Sequence, residues 1–204
     1  MDIFIGVDPS INSTGICILY YDNDILVNEK YYIIYPSKNK LTKKQVLANN
    51  KLNNFEYVSY FAEELKEYKE EYFIYEKKKT ENIIHLMSTI EDIISNINIE
   101  NNNIYALQEG ISYGSSIRTK AIYDLAGINF LLRSIFIEKQ HINFIISPPA
   151  NIKKFITGKG NSNKDIINKL FLSTHQEMEI IPKVDDLADA YYMAKFAKKI
   201  KEQS

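Results

Sequence analysis

The run Ile3-Phe4-Ile5-Gly6-Val7 has no polar side chain at any position and stops at Asp8. An extended segment that is apolar on both faces reads as a central strand of a sheet covered on both sides. Pro9-Ser10-Ile11-Asn12-Ser13 is turn chemistry, and a second apolar run follows from Thr14 to Tyr21. Asp22-Asn23-Asp24 makes the next turn, and residues 25–35 read as a third strand. Strand, tight turn, strand, tight turn, strand predicts an antiparallel meander.

Downstream the period lengthens. Ile83, Ile84, Met87, Ile90, Ile93, Ile94 and Ile97 keep a helical spacing, which predicts an amphipathic helix over 81–98. The Asn101-Asn102-Asn103 turn leads into a strand at Ile104–Leu107 that ends in Gln108-Glu109-Gly110. A strongly apolar helix follows at 119–139, then a strand at 142–146 stopped by Ser147-Pro148-Pro149. A short helix near 150–156, a glycine-containing turn at 158–163 and helices at 164–174 and 185–201 complete the chain. The order βββ–α–β–α–β–α predicts an α/β fold. Its mixed five-stranded sheet has three antiparallel strands, then two parallel ones, with helices on both faces. Residues 36–80, rich in Lys, Asn, Glu and Tyr, show helical spacing at Val58, Phe61, Ala62 and Leu65. They read as an inserted helical or partly ordered segment of a single domain spanning 1–204, with Glu63 to Lys79 a solvated helix face.

Composition narrows the class. At 204 residues, 45% hydrophobic and 25% charged, the chain is an ordinary globular one of single-domain size. No apolar run approaches the ~18 residues of a membrane span. No basic region precedes the first apolar stretch, so it does not read as a secretory signal. The lone Cys17 sits in an apolar run and reads as a buried small hydrophobe in a reducing compartment. The expected location is the cytoplasm of a bacterial or phage-infected cell, since abundant Ile, Asn, Lys and Tyr fit an AT-rich genome. With 25 Lys+Arg against 26 Asp+Glu, the near-neutral sum leaves room for a local acidic cluster beside a local basic surface.

That acidic cluster is the central functional signal. Asp8 and Glu109 each end a buried strand, and parallel strands of α/β sheets present functional groups at their carboxyl ends. Asp186 and Asp189, three apart at the start of a helix, fall on one face. Singly, each has a plain structural explanation: a turn former, a strand terminus, or acids favoured by a helix dipole. Together they would repel one another and raise each other's pKa unless a cation neutralises them. An all-oxygen set suits Mg²⁺, two ions per site about 4 Å apart, with Mn²⁺ able to substitute. Such a pair activates water and stabilises the leaving oxygen of a phosphodiester.

Gly6-Val7-Asp8-Pro9-Ser10, followed by Ser13-Thr14-Gly15, resembles the first motif of the RuvC-like Holliday-junction resolvases. Gln108-Glu109 resembles their second motif, and Asp186-Leu187-Ala188-Asp189-Ala190 their closing one. Ile152-Lys153-Lys154 through Gly158-Lys159-Gly160 to Lys164 resembles the segment in which lysines approach the scissile phosphate. The resemblance covers nearly the whole chain except about 36–80. It implies an RNase H-like fold and a structure-selective endonuclease that hydrolyses phosphodiester bonds in four-way or branched DNA. It further implies that Asp8, Glu109, Asp186 and Asp189 act as catalytic metal ligands. Asp185 stands beside Asp186 and is an alternative partner for Asp189. Tyr113, one place beyond Ser112 where the family sets an aromatic, is a candidate to wedge against bases at the branch.

Lysines 153, 154, 159, 164 and 169 are offset in their stretch only by Asp165. Gly158 and Gly160 allow close backbone approach, and the helix start at Asn163-Lys164 suits a phosphate. Lys153, Lys154, Lys159 and Lys164 are therefore candidate DNA contacts, with Lys164 the candidate stabiliser of developing negative charge. Arg118 and Lys120 are candidate backbone-phosphate contacts that position rather than specify. His85, His141 and His175 lack ligand spacing and read as structural or exposed. The helix at 119–139 is apolar over too broad an arc for one solvent face, so both sides are buried or one meets a second copy. A four-way junction has two-fold symmetry, for which a homodimer is the physical expectation. The alternatives are a broader branch or flap nuclease on the same fold and a non-catalytic branched-DNA-binding protein. Actin-like phosphotransferases need glycine-rich phosphate loops that seven glycines do not supply.

Overall fold

The computed structural model describes residues 1–111, 119–139 and 141–203 and, in the helix beginning at Thr119, side chains from Tyr123 onward. Strands β1 (Asp2–Asp8), β2 (Thr14–Asp22) and β3 (Ile25–Pro36) form the antiparallel meander. Helix α1 (Lys43–Lys51), strand β4 (Phe55–Tyr60) and helix α2 (Tyr72–Ser95) follow. Strand β5 (Asn103–Glu109), helix α3 (Thr119–Glu138) and strand β6 (Ile142–Ser147) come next. Helices α4 (Pro149–Thr157), α5 (Lys164–Thr174) and α6 (Val184–Gln203) complete the order. The sheet runs β4-β3-β2-β1-β5-β6, with β5 parallel to β1 and β6 parallel to β5. Among the described residues no helix is long and apolar enough to cross a membrane.

Among the described residues the sheet has six strands, where the sequence reading gives five. The additional one, β4, lies inside the 36–80 segment and pairs in parallel with β3 at the sheet edge. The helical spacing of Val58, Phe61, Ala62 and Leu65 misleads because only Val58 belongs to a regular element, and that element is extended. Phe55 and Tyr57 pack on one face of the sheet, Val58 and Tyr60 on the other. Aromatic and β-branched residues suit this pleated, half-buried position. Helix α2 likewise begins about two and a half turns before position 81, so the end of the Glu-Lys run is the start of the amphipathic helix. Its Lys79 is buried, paired with Asp124 at 2.6 Å and Glu76 at 3.2 Å.

Strand parity decides what faces what. Ile3, Ile5 and Val7 of β1 face the layer of α2 and α3, while Phe4 faces the layer of α4, α5 and α6. By the two-residue alternation Gly6 and Asp8 share the face of Phe4. On β5, Ile104 and Ala106 face α2 and α3, whereas Leu107 packs with the α6 layer. Glu109, two residues on, follows Leu107. Both strand-terminal carboxylates thus lie on the side covered by α6.

Helix α6 reaches that face because two glycines let it descend. A Cβ on Gly6 would lie 1.9 Å from the Ala190 carbonyl oxygen, and one on Gly15 would lie 2.2 Å from that of Asp186. The buried alanines 188, 190, 194 and 197 complete the contact. Cys17, as expected, is buried.

His175, which caps the end of α5, is buried against this layer. Its ring stacks on Phe171 at 4.5 Å, and Nε2 lies 3.2 Å from the Tyr31 hydroxyl and 3.4 Å from Glu29 Oε2. Burial opposes charging the imidazole, but Glu29 outweighs it and the pKa is raised above the usual 6.5. Burial also works against the Glu29 carboxylate, yet the contact with His175 lowers its pKa below the usual 4.5. The His175 contribution to stability is complete below 6.5 and fades as pH rises through its raised pKa. That of Glu29 is complete above 4.5 and fades as pH falls through its lowered pKa. The loss in denaturant midpoint caused by Glu29→Gln should therefore be largest between about pH 4.5 and 6.5 and should shrink by pH 9. An equal loss from pH 5 to pH 9 would show that the pair is not ionic.

Candidate active site

The parallel register of β1 and β5 sets Val7 beside Gln108, so Asp8 and Glu109 end neighbouring strands. Gln108 faces the opposite layer, where its side-chain amide donates to Asn129 Oδ1 at 2.6 Å. Above the strand ends, the first turns of α6 carry Asp185, Asp186 and Asp189. The turn before α6 passes through Lys183 in a left-handed conformation, φ 62°, and the Asp186 amide donates back to the Lys183 carbonyl at 3.1 Å.

The two adjacent aspartates have different partners. Asp186 accepts a hydrogen bond from the Ser13 hydroxyl in the loop after β1. Asp185 instead holds Lys164: the ammonium bridges Asp185 Oδ2 and Asp189 Oδ2, each at 3.0 Å. Lys164 is the first residue of α5, delivered there by the Asn163 cap. The charges of Asp186 and Asp189 act on Asp8, and that of Asp185 acts on Asp186 and Asp189.

The electrostatics are those of a crowded anionic site. Burial pushes the Asp8 carboxyl up to about 8, and the charges of Asp189, Asp186 and Glu109 add to the rise while Lys164 opposes it. Glu109 is raised by burial and by Asp189, with Lys153 and Lys164 opposing. Burial also raises Asp186 despite the Ser13 hydrogen bond, and Asp189 despite Lys164. Lys164 is itself partly desolvated, but Asp189 and Asp185 hold its pKa well above the usual lysine value, so it stays charged. Lys164 pairs directly with the cluster, and Lys153 and Lys183 act on it through space, yet five carboxylates still outnumber these positive charges.

A cavity of about 150 Å³ opens beside this cluster. Glu109, Asp189, Lys153 and Lys164 supply its polar wall, and Ile152, Ile156 and Met193 its apolar one. Among the described residues no three His, Cys, Asp or Glu side chains close into a set that would clasp a metal by themselves. Lys164 stands where α6 would otherwise offer Asp189 to a cation. The donor set fits Mg²⁺ in kind, because that ion is bound through one or two carboxylates and keeps water and phosphate oxygens as its other ligands.

Of the other residues singled out by sequence, Lys154 and Lys159 are exposed and do not line the cavity. Tyr113, Arg118 and the side chain of Lys120 lie outside the described residues. Ser13 and the Lys164–Asp185 pair escape sequence reasoning, since neither a serine in a turn nor a doubled aspartate discloses a partner far along the chain.

No family model matches this chain, and no curated protein sequence does. Solved structures do match. A structure of Thermus thermophilus RuvC aligns over 98% of this chain and 96% of its own, with a TM-score of 0.54 and 13% identity. T. thermophilus RuvC in complex with a Holliday junction substrate aligns over 100% of this chain and 97% of its own, with a TM-score of 0.57 and 11% identity. The order of elements, the mixed sheet and the full-length overlap agree: the chain has a RuvC-like fold.

Proposed function

We propose that this protein is a metal-dependent endonuclease of branched DNA, with the four-way junction as its preferred substrate. The observation that carries the reading is the gathering of Asp8, Glu109, Asp186 and Asp189 around Lys164, beside a cavity at the carboxyl ends of parallel strands. Carboxylates brought together in this way only destabilise a fold unless they serve a cation. The full-length likeness to a RuvC solved with a Holliday junction substrate supports the choice of DNA branch.

On this reading Asp8, Glu109, Asp186 and Asp189 would hold Mg²⁺, which when bound would supply Lewis-acid polarisation of the phosphate and lower the pKa of the attacking water so that it can give up its proton. Ser13 fixes the orientation of Asp186 through its hydroxyl. Lys164 stays protonated at neutral pH and offers its ammonium to the phosphate oxygens as negative charge develops. Lys153, on the same cavity wall, adds a second positive charge near Glu109. The apolar side of the cavity limits water beside the reacting phosphate. Replacing Asp8 by Asn should lower the Mg²⁺-dependent cleavage rate on a four-way junction at least a hundredfold while junction binding in Ca²⁺ stays within about threefold. Full cleavage by that variant would overturn the assignment.

The outward face of α3 supports a two-fold assembly. Tyr123, Phe130 and Ile137 lie seven residues apart and are 75%, 58% and 65% exposed. Gly127, between the first two, has open space around its Cα. An apolar stripe of this kind on a helix fits the seam of a helix-to-helix contact with a second copy. Wild-type protein should sediment as a dimer, and Phe130→Asp combined with Ile137→Asp should sediment as a folded monomer. A monomeric wild type, or a dimer unchanged by both charges, would rule out this seam.

A further inference from the structure

We infer that a second pocket, on the β3 side of the carboxylates, binds a backbone phosphate of the DNA away from the bond that is cut. The inference rests on the nuclease reading and deepens it. The pocket has a volume of about 130 Å³, and its polar lining is Asn12, Ser13, Asn39, Lys40, Gln45 and Lys183, together with two tyrosines. Water occupies about 30 Å³ per molecule in the liquid, so the space is ample for a phosphate group with part of its hydration.

Its position ties it to the active site. Ser13 forms part of the wall and donates its hydroxyl to Asp186. Lys183 precedes Asp186 by three residues, and its charge acts on that carboxylate. The carboxylates therefore lie between two lysine-bearing pockets, with Lys153 and Lys164 toward β5 and Lys40 and Lys183 toward β3. A DNA strand with a phosphate at the first pocket runs on across the sheet end toward the second.

Its chemistry selects an anion. No carboxylate lines it, and among the described residues neither Lys40 nor Lys183 has an ion-pair partner within 4.0 Å. Amide groups of Asn12, Asn39 and Gln45 add N–H donors to the two ammonium groups. The walls are held in place: the Tyr57 hydroxyl donates to the Pro182 carbonyl at 3.1 Å, next to Lys183, and Gln45 closes the capping box of α1 with Thr42. Phosphodiester contacts from lysine position a duplex without reading its sequence. Asn39, Lys40, Gln45 and Tyr57 all belong to the 36–80 segment, which thereby gains a role in DNA binding.

The test is fluorescence anisotropy of a labelled four-way junction in Ca²⁺ over a series of salt concentrations. It compares wild type, the double variant Lys40→Ala with Lys183→Asn, and Lys30→Ala as a control at an exposed lysine elsewhere on the sheet. Asparagine is chosen at 183 because it tolerates the left-handed backbone, so the unfolding midpoint should match that of wild type. We expect the double variant to bind at least tenfold more weakly at 0.1 M salt, with a log–log salt slope shallower by about one for each lysine. The control should keep the wild-type affinity and slope. Equal affinity and slope for the double variant and wild type would overturn the phosphate pocket alone, whereas a wild type that binds no junction would overturn the nuclease reading first. Thermal stabilisation of wild type but not the double variant by inorganic phosphate, with junction affinity unchanged, would identify a free-anion site and equally overturn the proposal.

Discussion

The structure turns on how closely α6 lies against β1 and β2. With hydrogen atoms at Gly6 and Gly15, the carbonyls of Ala190 and Asp186 sit where any Cβ would have to be. A methyl group at either place forces the helix outward, and overpacking of that kind costs about 1–3 kcal/mol. The same approach brings Asp186 and Asp189 over the strand end that carries Asp8. Parity on β1 and β5 does the rest by turning Asp8 and Glu109 to the side that α6 covers.

What this geometry produces is a deliberate electrostatic deficit. Burial and mutual repulsion raise all four carboxyl pKa values, most clearly that of Asp8, to about 8. Lys164 relieves part of this through two ion pairs, and Asp185 keeps the ammonium nearby while adding its own charge to those of Asp186 and Asp189. The remainder is a standing preference for added positive charge. Anionic DNA alone would deepen the deficit, so cation and phosphate are expected to arrive as a pair, each screening the other. On the proposed reading, the lysines of the two flanking pockets would bear on the polyanion as well as on the carboxylates.

Much of this was legible in the sequence. Asp8 and Glu109 could be placed because apolar runs end at or just before them, and Asp186 with Asp189 because a spacing of three residues sets them on one helix face. The single buried cysteine, the meander and the parallel order of the later strands follow from local pattern in the same way. β4 was not legible: its Phe-Glu-Tyr-Val-Ser-Tyr alternation adjoins Phe61, Ala62 and Leu65, whose spacing imitates a helix. Asp185 and Asp186 could not be told apart, since their difference lies in partners at Lys164 and Ser13 that only tertiary packing supplies. The glycines read as part of a motif, but their role as the floor on which α6 rests depends on a helix at the far end of the chain, at Asp186 and Ala190.

The most direct measurement is strand-specific cleavage by the wild-type chain on a four-way junction labelled on each arm in turn, with Mg²⁺, with Ca²⁺ and with EDTA. We expect paired, symmetric nicks that ligase can reseal, present with Mg²⁺ and absent with EDTA. A junction that is bound but left intact at every Mg²⁺ concentration, or nicked equally well in EDTA, would contradict the view that α6 and the two strand ends assemble a cation-dependent phosphodiesterase.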